Sequence, residues 1–162
     1  MTASETASAS LSWDVLTIKR LDLLVSASRQ GRAHVDANSS TLIHGERDAV
    51  LVDTFLTTDQ SQTLLNWVVA SGKNLTGIYV THAHGDHFFG LAPLLERFPH
   101  ARAVATPEVV KAMHEQLSPA SVDNFWRRLF PGQIPDRLLV AEPLEDRELK
   151  LEGHKLVATN AG

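Results

Sequence analysis

Residues 81–87, with the sequence Thr-His-Ala-His-Gly-Asp-His, concentrate the side chains that can do chemistry in this chain. Three of the 8 histidines and one carboxylate fall between His82 and His87. Imidazole and carboxylate groups are ligands for zinc, and they also suit iron, manganese or nickel. The chain has no cysteine, which excludes disulfides, thiol nucleophiles and iron–sulfur ligation. The segment therefore predicts a metal site built from histidine and carboxylate.

The spacing inside this segment predicts how its ligands meet. Positions two apart in an extended loop face the same way, so His82 and His84 can converge on one ion. Asp86 and His87 fall where the chain turns into the next helix, and we expect Gly85 to permit that turn. Four ligands on one short loop are too close for a single relaxed tetrahedron, so two partial sites are expected, as in two-metal hydrolases. The alternative, a histidine-rich surface loop without metal, is disfavoured because the segment follows a buried strand.

Alternating strands and helices must position this segment. We expect strands within 15–25 and at 41–44, 49–52, 75–80, 101–105, 137–141 and 148–159, with a loop over 31–40. Helices are expected from a Thr57 or Thr58 cap to Gly72, at 88–98, after the Thr106 cap, and at 119–130. This order predicts an α/β fold with a mixed sheet, whose ligands bind at the carboxyl ends of strands.

Composition sets the remaining limits. The chain has 162 residues, of which 43% are hydrophobic and 21% are charged, as expected for one packed domain. Residues 1–10 are almost all Thr, Ala and Ser and predict a disordered tail, which leaves one domain over 11–162. The net charge of -4 argues against nucleic-acid binding. No basic residue precedes Lys19 and no apolar run reaches about 18 residues, so a cytoplasmic protein without a membrane segment is expected.

The His-x-His-x-Asp-His pattern resembles the hallmark of the metallo-β-lactamase-fold hydrolases. Residues 50–54 are similar to the strand of that family that ends in an aspartate behind the metal loop, and Gly90 resembles its glycine-bearing helix start. The resemblance covers roughly residues 41–106. It implies a metallo-β-lactamase-like αββα sandwich, of which this chain holds the N-terminal half as a mixed sheet backed by helices.

The resemblance also implies a site. His82 and His84 would bind a first metal, and Asp86 and His87 a second, with zinc expected at both and iron or manganese as alternatives. Asp86 would be catalytic as well, because it would orient or deprotonate the attacking water. Asp53 is either a partner that fixes the metal loop or a turn carboxylate at a strand end, and the sequence leaves both open.

The chain departs from the family pattern downstream of His87. The family's third histidine for the first metal, its bridging aspartate and its last histidine have no counterpart, and we expect His100, His114 and His154 to be exposed to solvent. We expect the chain to be a truncated product, or another chain to supply the rest of the site. A second copy or a partner would then cover the open sheet. Metal binding by these 162 residues alone is expected to be feeble, with little or no activity.

Two classes of function compete at this point. The first is metal-dependent hydrolysis of a small ester, thioester, lactone or amide, in which activated water attacks the carbonyl. The second is a non-catalytic metal-binding or protein-interaction half-domain. A nuclease of the same superfamily is disfavoured by charge. The aromatic and basic cluster at 125–130 predicts either a pocket wall or, preferably, an amphipathic helix with its arginines in water.

Overall fold

The computed structural model describes residues 10–19 and 37–159, and a mixed sheet of six strands forms its centre. The predicted tail therefore lies outside the described residues except for Ser10, as does the second part of the strand region predicted over 15–25. The sheet has the spatial order β1-β2-β3-β4-β5-β6. Its strands are β1 (Ser12–Lys19), β2 (Ala37–His44), β3 (Asp48–Val52), β4 (Asn74–Tyr79), β5 (Arg102–Ala105) and β6 (Glu142–Pro143).

Strand direction divides this sheet into two parts. β1, β2 and β3 pair antiparallel, whereas β3, β4, β5 and β6 pair parallel. The carboxyl ends of β3, β4 and β5 therefore lie at one edge of the sheet, and β2 begins at that same edge because it runs the other way. Residues from four separate segments of the chain meet there.

Helices cover one face of the sheet and bury the core. They are α1 (Thr58–Ala70), α2 (Gly85–Phe88), α3 (Leu91–Arg97), α4 (Pro107–Gln116), α5 (Pro119–Ser121) and α6 (Arg127–Leu129), with a π-helical turn at Val122–Trp126. Leu42, Leu51 and Ile78 of the sheet are fully buried in one cluster with Leu64 and Leu94 of the helices. Burial of each such side chain contributes about 1.5–3 kcal/mol. None of the helices in the described part of the chain is long and apolar enough to cross a bilayer.

The predicted helix caps are confirmed. Thr57 accepts a hydrogen bond from the Gln60 amide at 3.2 Å, and the Gln60 side chain accepts one from the Thr57 amide, also at 3.2 Å. This reciprocal pair satisfies two amide groups that a helix start leaves without partners. Thr106 caps α4 with Pro107 in the first position, as the sequence predicts.

The opposite face of the sheet carries a hairpin of β7 (Glu148–Leu151) and β8 (His154–Val157). A cavity of about 290 Å³ lies between this hairpin and the sheet, and its lining includes Ile43, Val52 and Tyr79. On the edge strand β1, the Trp13 side chain is 68% exposed and Val15 is 53% exposed. The face of the sheet that packs against the helices is therefore buried, whereas large apolar side chains on the hairpin face are exposed to solvent.

Several sequence predictions were wrong in their boundaries. The loop predicted over 31–40 is strand from Ala37 onward, because the polar residues that begin β2 pair with β1. The strand predicted at 137–141 is absent, and only Glu142–Pro143 pairs with β5. The helix predicted at 88–98 is divided at Gly90 into α2 and α3, and the helical segment after Pro119 contains the π-helical turn.

Candidate metal centre

The metal loop, residues 81–87, lies at the sheet edge where β3 and β4 end. It was expected to be loop throughout, but α2 begins at Gly85, so Asp86 and His87 belong to the first turn of a helix. The His87 amide donates to the His84 carbonyl at 2.9 Å and closes this turn. Gly85 is needed for a different reason than the turn itself. A Cβ added there would stand 2.8 Å from the Phe89 ring, so the glycine permits close packing.

The three imidazole rings of the loop lie close together. His82 and His84 are stacked with ring centroids 6.5 Å apart and planes 10° apart, so the two side chains face the same way, as the spacing of two residues predicts. His82 and His87 are closer, with centroids 4.8 Å apart. The rings of His82 and His84 belong to exposed residues, whereas Asp86 and His87 are half-buried.

Asp53 connects the loop to the sheet. Its buried carboxylate accepts hydrogen bonds from the Thr81 amide at 2.7 Å, the Thr81 hydroxyl at 2.6 Å and His87 Nδ1 at 2.9 Å. Asp53 has a φ of 65°, a left-handed conformation that aspartate tolerates better than most residues. The sequence left two roles open for Asp53, and this geometry agrees with the role of a partner that fixes the metal loop.

Hydrogen bonds assign the tautomers of two histidines. The Thr81 hydroxyl has one proton, which goes to the Asp53 carboxylate, so the hydroxyl must accept from His82 Nδ1 at 2.7 Å. His87 Nδ1 likewise donates to Asp53. In the neutral form of both rings the proton is therefore on Nδ1, and the Nε2 lone pair is available to a ligand. Sequence reasoning gave Thr81 no role, since a threonine after a strand has no special pattern.

Asp53, His82 and His87 form a group whose possible ligand atoms all lie within 4.8 Å of one another. Because the Asp53 oxygens already accept three hydrogen bonds, Asp53 fits an orienting partner of the histidines better than a ligand. Asp86 and His84, two of the four predicted ligands, do not belong to this group. Asp86 Oδ1 nevertheless lies 3.8 Å from His87 Nε2.

The electrostatic field at His87 favours positive charge. Burial lowers the pKa of His87, but the Asp53 hydrogen bond and the charges of Asp53 and Asp86 outweigh burial and raise the pKa above 6.5. Two carboxylates beside a half-buried imidazole attract a cation by the same Coulomb interaction. The donor set and the field therefore both fit a metal ion.

Neighbouring residues hold the main chain of the site. The amide and the hydroxyl of Thr54 both donate to the His87 carbonyl, at 2.8 and 3.0 Å. The Thr54 hydroxyl also accepts from the Gly90 amide at 3.1 Å. A Cβ added to Gly90 would stand 2.9 Å from the Ser61 hydroxyl of α1, so glycine lets the junction between α2 and α3 pack closely against α1 and the residues that follow β3.

Asn38 is a further residue of the site that sequence reasoning missed. Its side-chain amide donates to Asp86 Oδ2 at 2.9 Å. Asn38 lies in a segment predicted to be loop, 48 residues away from Asp86 along the chain. No local pattern indicates this contact.

The aromatic cluster at 125–130 packs beside the loop. The Trp126 ring meets Phe89 edge-on at 5.8 Å, and Phe89 in turn packs against Gly85. Trp126 and Phe130 are buried, whereas Phe125 and Arg128 are exposed. This segment is therefore amphipathic, and its buried side supports the metal loop. Arg128 is in water as the favoured prediction states, but Arg127 is half-buried and donates to the Ile134 and Pro135 carbonyls.

The remaining histidines in the downstream half of the chain lie elsewhere. His100 is exposed just before β5, at the opposite edge of the sheet, and His114 is exposed on α4. His154 was also expected to be exposed, but it begins β8 and is half-buried. Among the residues that the structure describes, none of these three joins the histidines of the metal loop in a possible metal-binding group.

Comparison with known proteins identifies the family. The model of the metallo-beta-lactamase superfamily matches residues 34–162. The chain therefore belongs to the metallo-beta-lactamase superfamily. The family expected from the histidine motif is confirmed, and so is the fold.

Individual relatives are more distant and longer than this chain. A metallo-beta-lactamase from Pontibacter korlensis has a TM-score of 0.55 and 16% identity, with 88% of this chain and 54% of that chain covered. A HARLDQ motif mutant of a Cronobacter sakazakii metallo-beta-lactamase has a TM-score of 0.53 and 20% identity, with 74% and 45% covered. These structures show the fold alone.

One curated relative matches in sequence. It is YobT, an uncharacterized protein of Bacillus subtilis (strain 168), with 36% identity over 63 residues. That match covers 39% of this chain and 27% of YobT. The chain spans about half the length of the two solved structures described above. The sequence match covers a smaller share of YobT.

Proposed function

We propose that this chain carries the metal-binding part of a hydrolase that uses two zinc ions. His82 and His84 would hold one ion, and Asp86 and His87 the other, while iron or manganese also suit these ligands. The observation that best supports this proposal is that hydrogen bonds at Nδ1 leave Nε2 of both His82 and His87 free. The centroids of the two rings are 4.8 Å apart. The buried Asp53 carboxylate and the half-buried Asp86 carboxylate beside these rings supply the negative charge that attracts a divalent cation.

Hydrolysis is the reaction that this donor set supports best. A bound zinc ion lowers the pKa of water to about 7 and polarises a carbonyl oxygen. Asp86 would orient the attacking water and accept its proton, because its carboxylate lies at the helix start beside His87. Asp53 and Thr81 would keep the imidazole rings in the tautomer that binds metal.

We propose a small ester, thioester, lactone or amide as the substrate. The negative net charge supports a small molecule rather than a nucleic acid. The fold itself does not select among these carbonyl compounds, since one scaffold supports many reactions.

Zinc titration of the 162-residue chain tests the proposal directly. We expect zinc uptake that falls in His84→Ala and in Asp86→Ala but is unchanged in His100→Ala. His100 is a suitable control because it is an exposed histidine at the opposite edge of the sheet. Uptake that survives both loop substitutions, or no uptake by the wild-type chain, would contradict the proposed site.

A hydrolysis screen separates the two classes of function. The hydrolysis of chromogenic esters, thioesters, lactones and amides is measured with the zinc-loaded protein and with the zinc-loaded Asp86→Asn variant. Turnover that requires both zinc and Asp86 supports the hydrolase. Zinc uptake without turnover is what both classes predict for these 162 residues alone, so turnover that depends on zinc and Asp86 is the result that decides between them.

A further inference from the structure

The contact between Asn38 and Asp86 joins two distant parts of the chain. Asn38 lies near the start of β2, where it pairs with Ile18 of β1. Its Nδ2 atom donates to Asp86 Oδ2 at 2.9 Å, in a half-buried position. A hydrogen bond to a carboxylate at this distance is charge-assisted and stronger than one between neutral groups.

Because of this hydrogen bond, the two carboxylate oxygens of Asp86 have different neighbours. Asn38 engages Oδ2, while Oδ1 is the oxygen that lies 3.8 Å from His87 Nε2. An amide donor is neutral, so it orients the carboxylate without cancelling its charge. Across the described residues, no lysine or arginine forms an ion pair with Asp86, so its negative charge remains for a cation.

The topology explains why a residue of β2 can reach Asp86. The antiparallel register pairs Thr41 with Val52, so the residues before Thr41 extend past the end of β3 to the site edge. Ser40, two residues after Asn38, donates from its hydroxyl to the Asp53 carbonyl at 2.8 Å. Residues two apart on a strand share one side. One side of β2 thus contacts Asp86 through Asn38 and Asp53 through Ser40.

We propose that Asn38 is a positioning residue that fixes the orientation of the Asp86 carboxylate, with Oδ1 kept beside His87 for the metal and the attacking water. This inference rests on the proposed function. Hydrogen-bond partners of metal ligands typically change metal affinity by about 10–100-fold when they are removed. The expected effect lies in that range.

Cobalt titration measures this effect, because the visible absorption of Co²⁺ reports its ligands. In Asn38→Leu, which has a similar volume and no donor, we expect about 10-fold weaker Co²⁺ binding and an altered spectrum. The control is Ser39→Ala on the other side of the same strand, where an exposed Ser39–Thr17 hydrogen bond is lost. This control should bind Co²⁺ like the wild type, and the urea midpoint of each variant checks folding.

A measurement on the wild-type protein covers the case in which Asn38→Leu fails to fold. Zinc addition should shift the NMR signals of the Asn38 side-chain amide. The Asn74 amide also donates to an aspartate, Asp48, but at the opposite edge of the sheet, so its signals should stay in place.

Three outcomes would overturn the inference, and they differ in whether they also contradict the proposed function. Wild-type affinity and spectrum in folded Asn38→Leu, or an unshifted Asn38 amide on zinc binding, would contradict the role of Asn38 and leave the proposed function intact. A wild-type chain that takes up no Co²⁺ or zinc would contradict both.

Discussion

The two halves of the metal loop differ in how firmly the fold holds them. Asp86 and His87 lie in a helical turn, are half-buried, and hydrogen-bond to Asn38 and Asp53. His82 and His84 are exposed, and only His82 has a hydrogen bond to its ring among the described residues, from Nδ1 to Thr81. The proposed second metal position is therefore preorganised, whereas the first requires ordering of side chains at an entropic cost.

The difference follows from distance to the buried Asp53 carboxylate. His87 contacts Asp53 directly, and His82 reaches it through the Thr81 hydroxyl. His84 has neither contact in the described structure. The following substitutions test this gradient in the metal-free protein, beginning with the largest expected effect.

Asp53→Asn should weaken the hydrogen bonds that the Asp53 carboxylate accepts from Thr81 and His87, which are the strongest contacts of the metal loop. Asparagine also tolerates a left-handed φ, so backbone strain stays similar, but its amide cannot replace a carboxylate that accepts three hydrogen bonds. We expect the free energy of unfolding to fall by about 2 kcal/mol, because charged hydrogen-bond partners are lost in a buried place. Urea denaturation at neutral pH measures the change.

Asp14→Asn is the matched control for Asp53→Asn. Asp14 also pairs with a histidine, His44, at 2.9 Å, but its side chain is 66% exposed. Exposed pairs contribute about 0–1 kcal/mol, so the loss should be smaller. Equal losses in the two variants would contradict the importance of burial at Asp53.

Gly90→Ala should displace the half of the loop that contains Asp86 and His87. The added methyl group would meet the Ser61 hydroxyl and Thr54, and overpacking of this kind costs about 1–3 kcal/mol. Gly77→Ala serves as the control, because its nearest neighbour would lie at an ordinary 3.6 Å. Thermal or urea unfolding compares them, and a harmless Gly90→Ala would show that the α2–α3 junction is loosely packed.

Thr81→Val should affect His82 and leave His87 bonded to Asp53. Loss of one hydroxyl that bridges His82 and Asp53 should cost about 1 kcal/mol. The sharper signal is the ¹⁵N NMR spectrum of His82, which should no longer show a single tautomer protonated at Nδ1. Thr81→Ser keeps the hydroxyl and should keep that tautomer; loss of the tautomer in both variants would point to a packing effect.

The pH dependence of stability should identify the His87 contact. The folded-state pKa of His87 is raised, so its stabilisation is fully present below about pH 6.5 and is lost as the pH rises through the raised value. The stability difference between wild type and His87→Asn should therefore shrink from pH 5.5 to about pH 9. A difference in stability that grows with pH would contradict the raised pKa of His87.

His84→Asn should change the free energy of unfolding by less than about 0.5 kcal/mol at neutral pH, because His84 contacts neither Asp53 nor Thr81.

Local patterns predicted those parts of the fold that depend on neighbouring residues. The capping box of Thr57 and Gln60 and the Thr106–Pro107 start of α4 follow from spacing, and the structure contains both. The strand boundaries at Ala37 and Glu142 were mispredicted, because pairing with a neighbouring strand decided them. Polar residues near the start of β2 resemble a loop until their partners, Asp86 and Asp53, are known.

The candidate site divides in the same way. The motif at 82–87 identified the residue types and the family, and its alternation predicted that His82 and His84 face the same way. It did not predict that His82 groups with His87 and Asp53 rather than with His84. It could not predict that Asp53 and Thr81 set the histidine tautomers, because Asp53 is far from the loop in sequence. It also assigned Gly85 to a turn, although close packing against Phe89 is what requires glycine there.

The sequence by itself determined the residue types of the candidate site, the family and, apart from the strand expected at 137–141, the order of strands and helices, since these depend on residue type and short spacing. Only the tertiary structure decided which nitrogen of each ring is free and which oxygen of Asp86 is engaged. The physical reason is that hydrogen bonds have a direction and a short range. Strand pairing must first bring Asn38 and Asp53 to the edge where the metal loop lies.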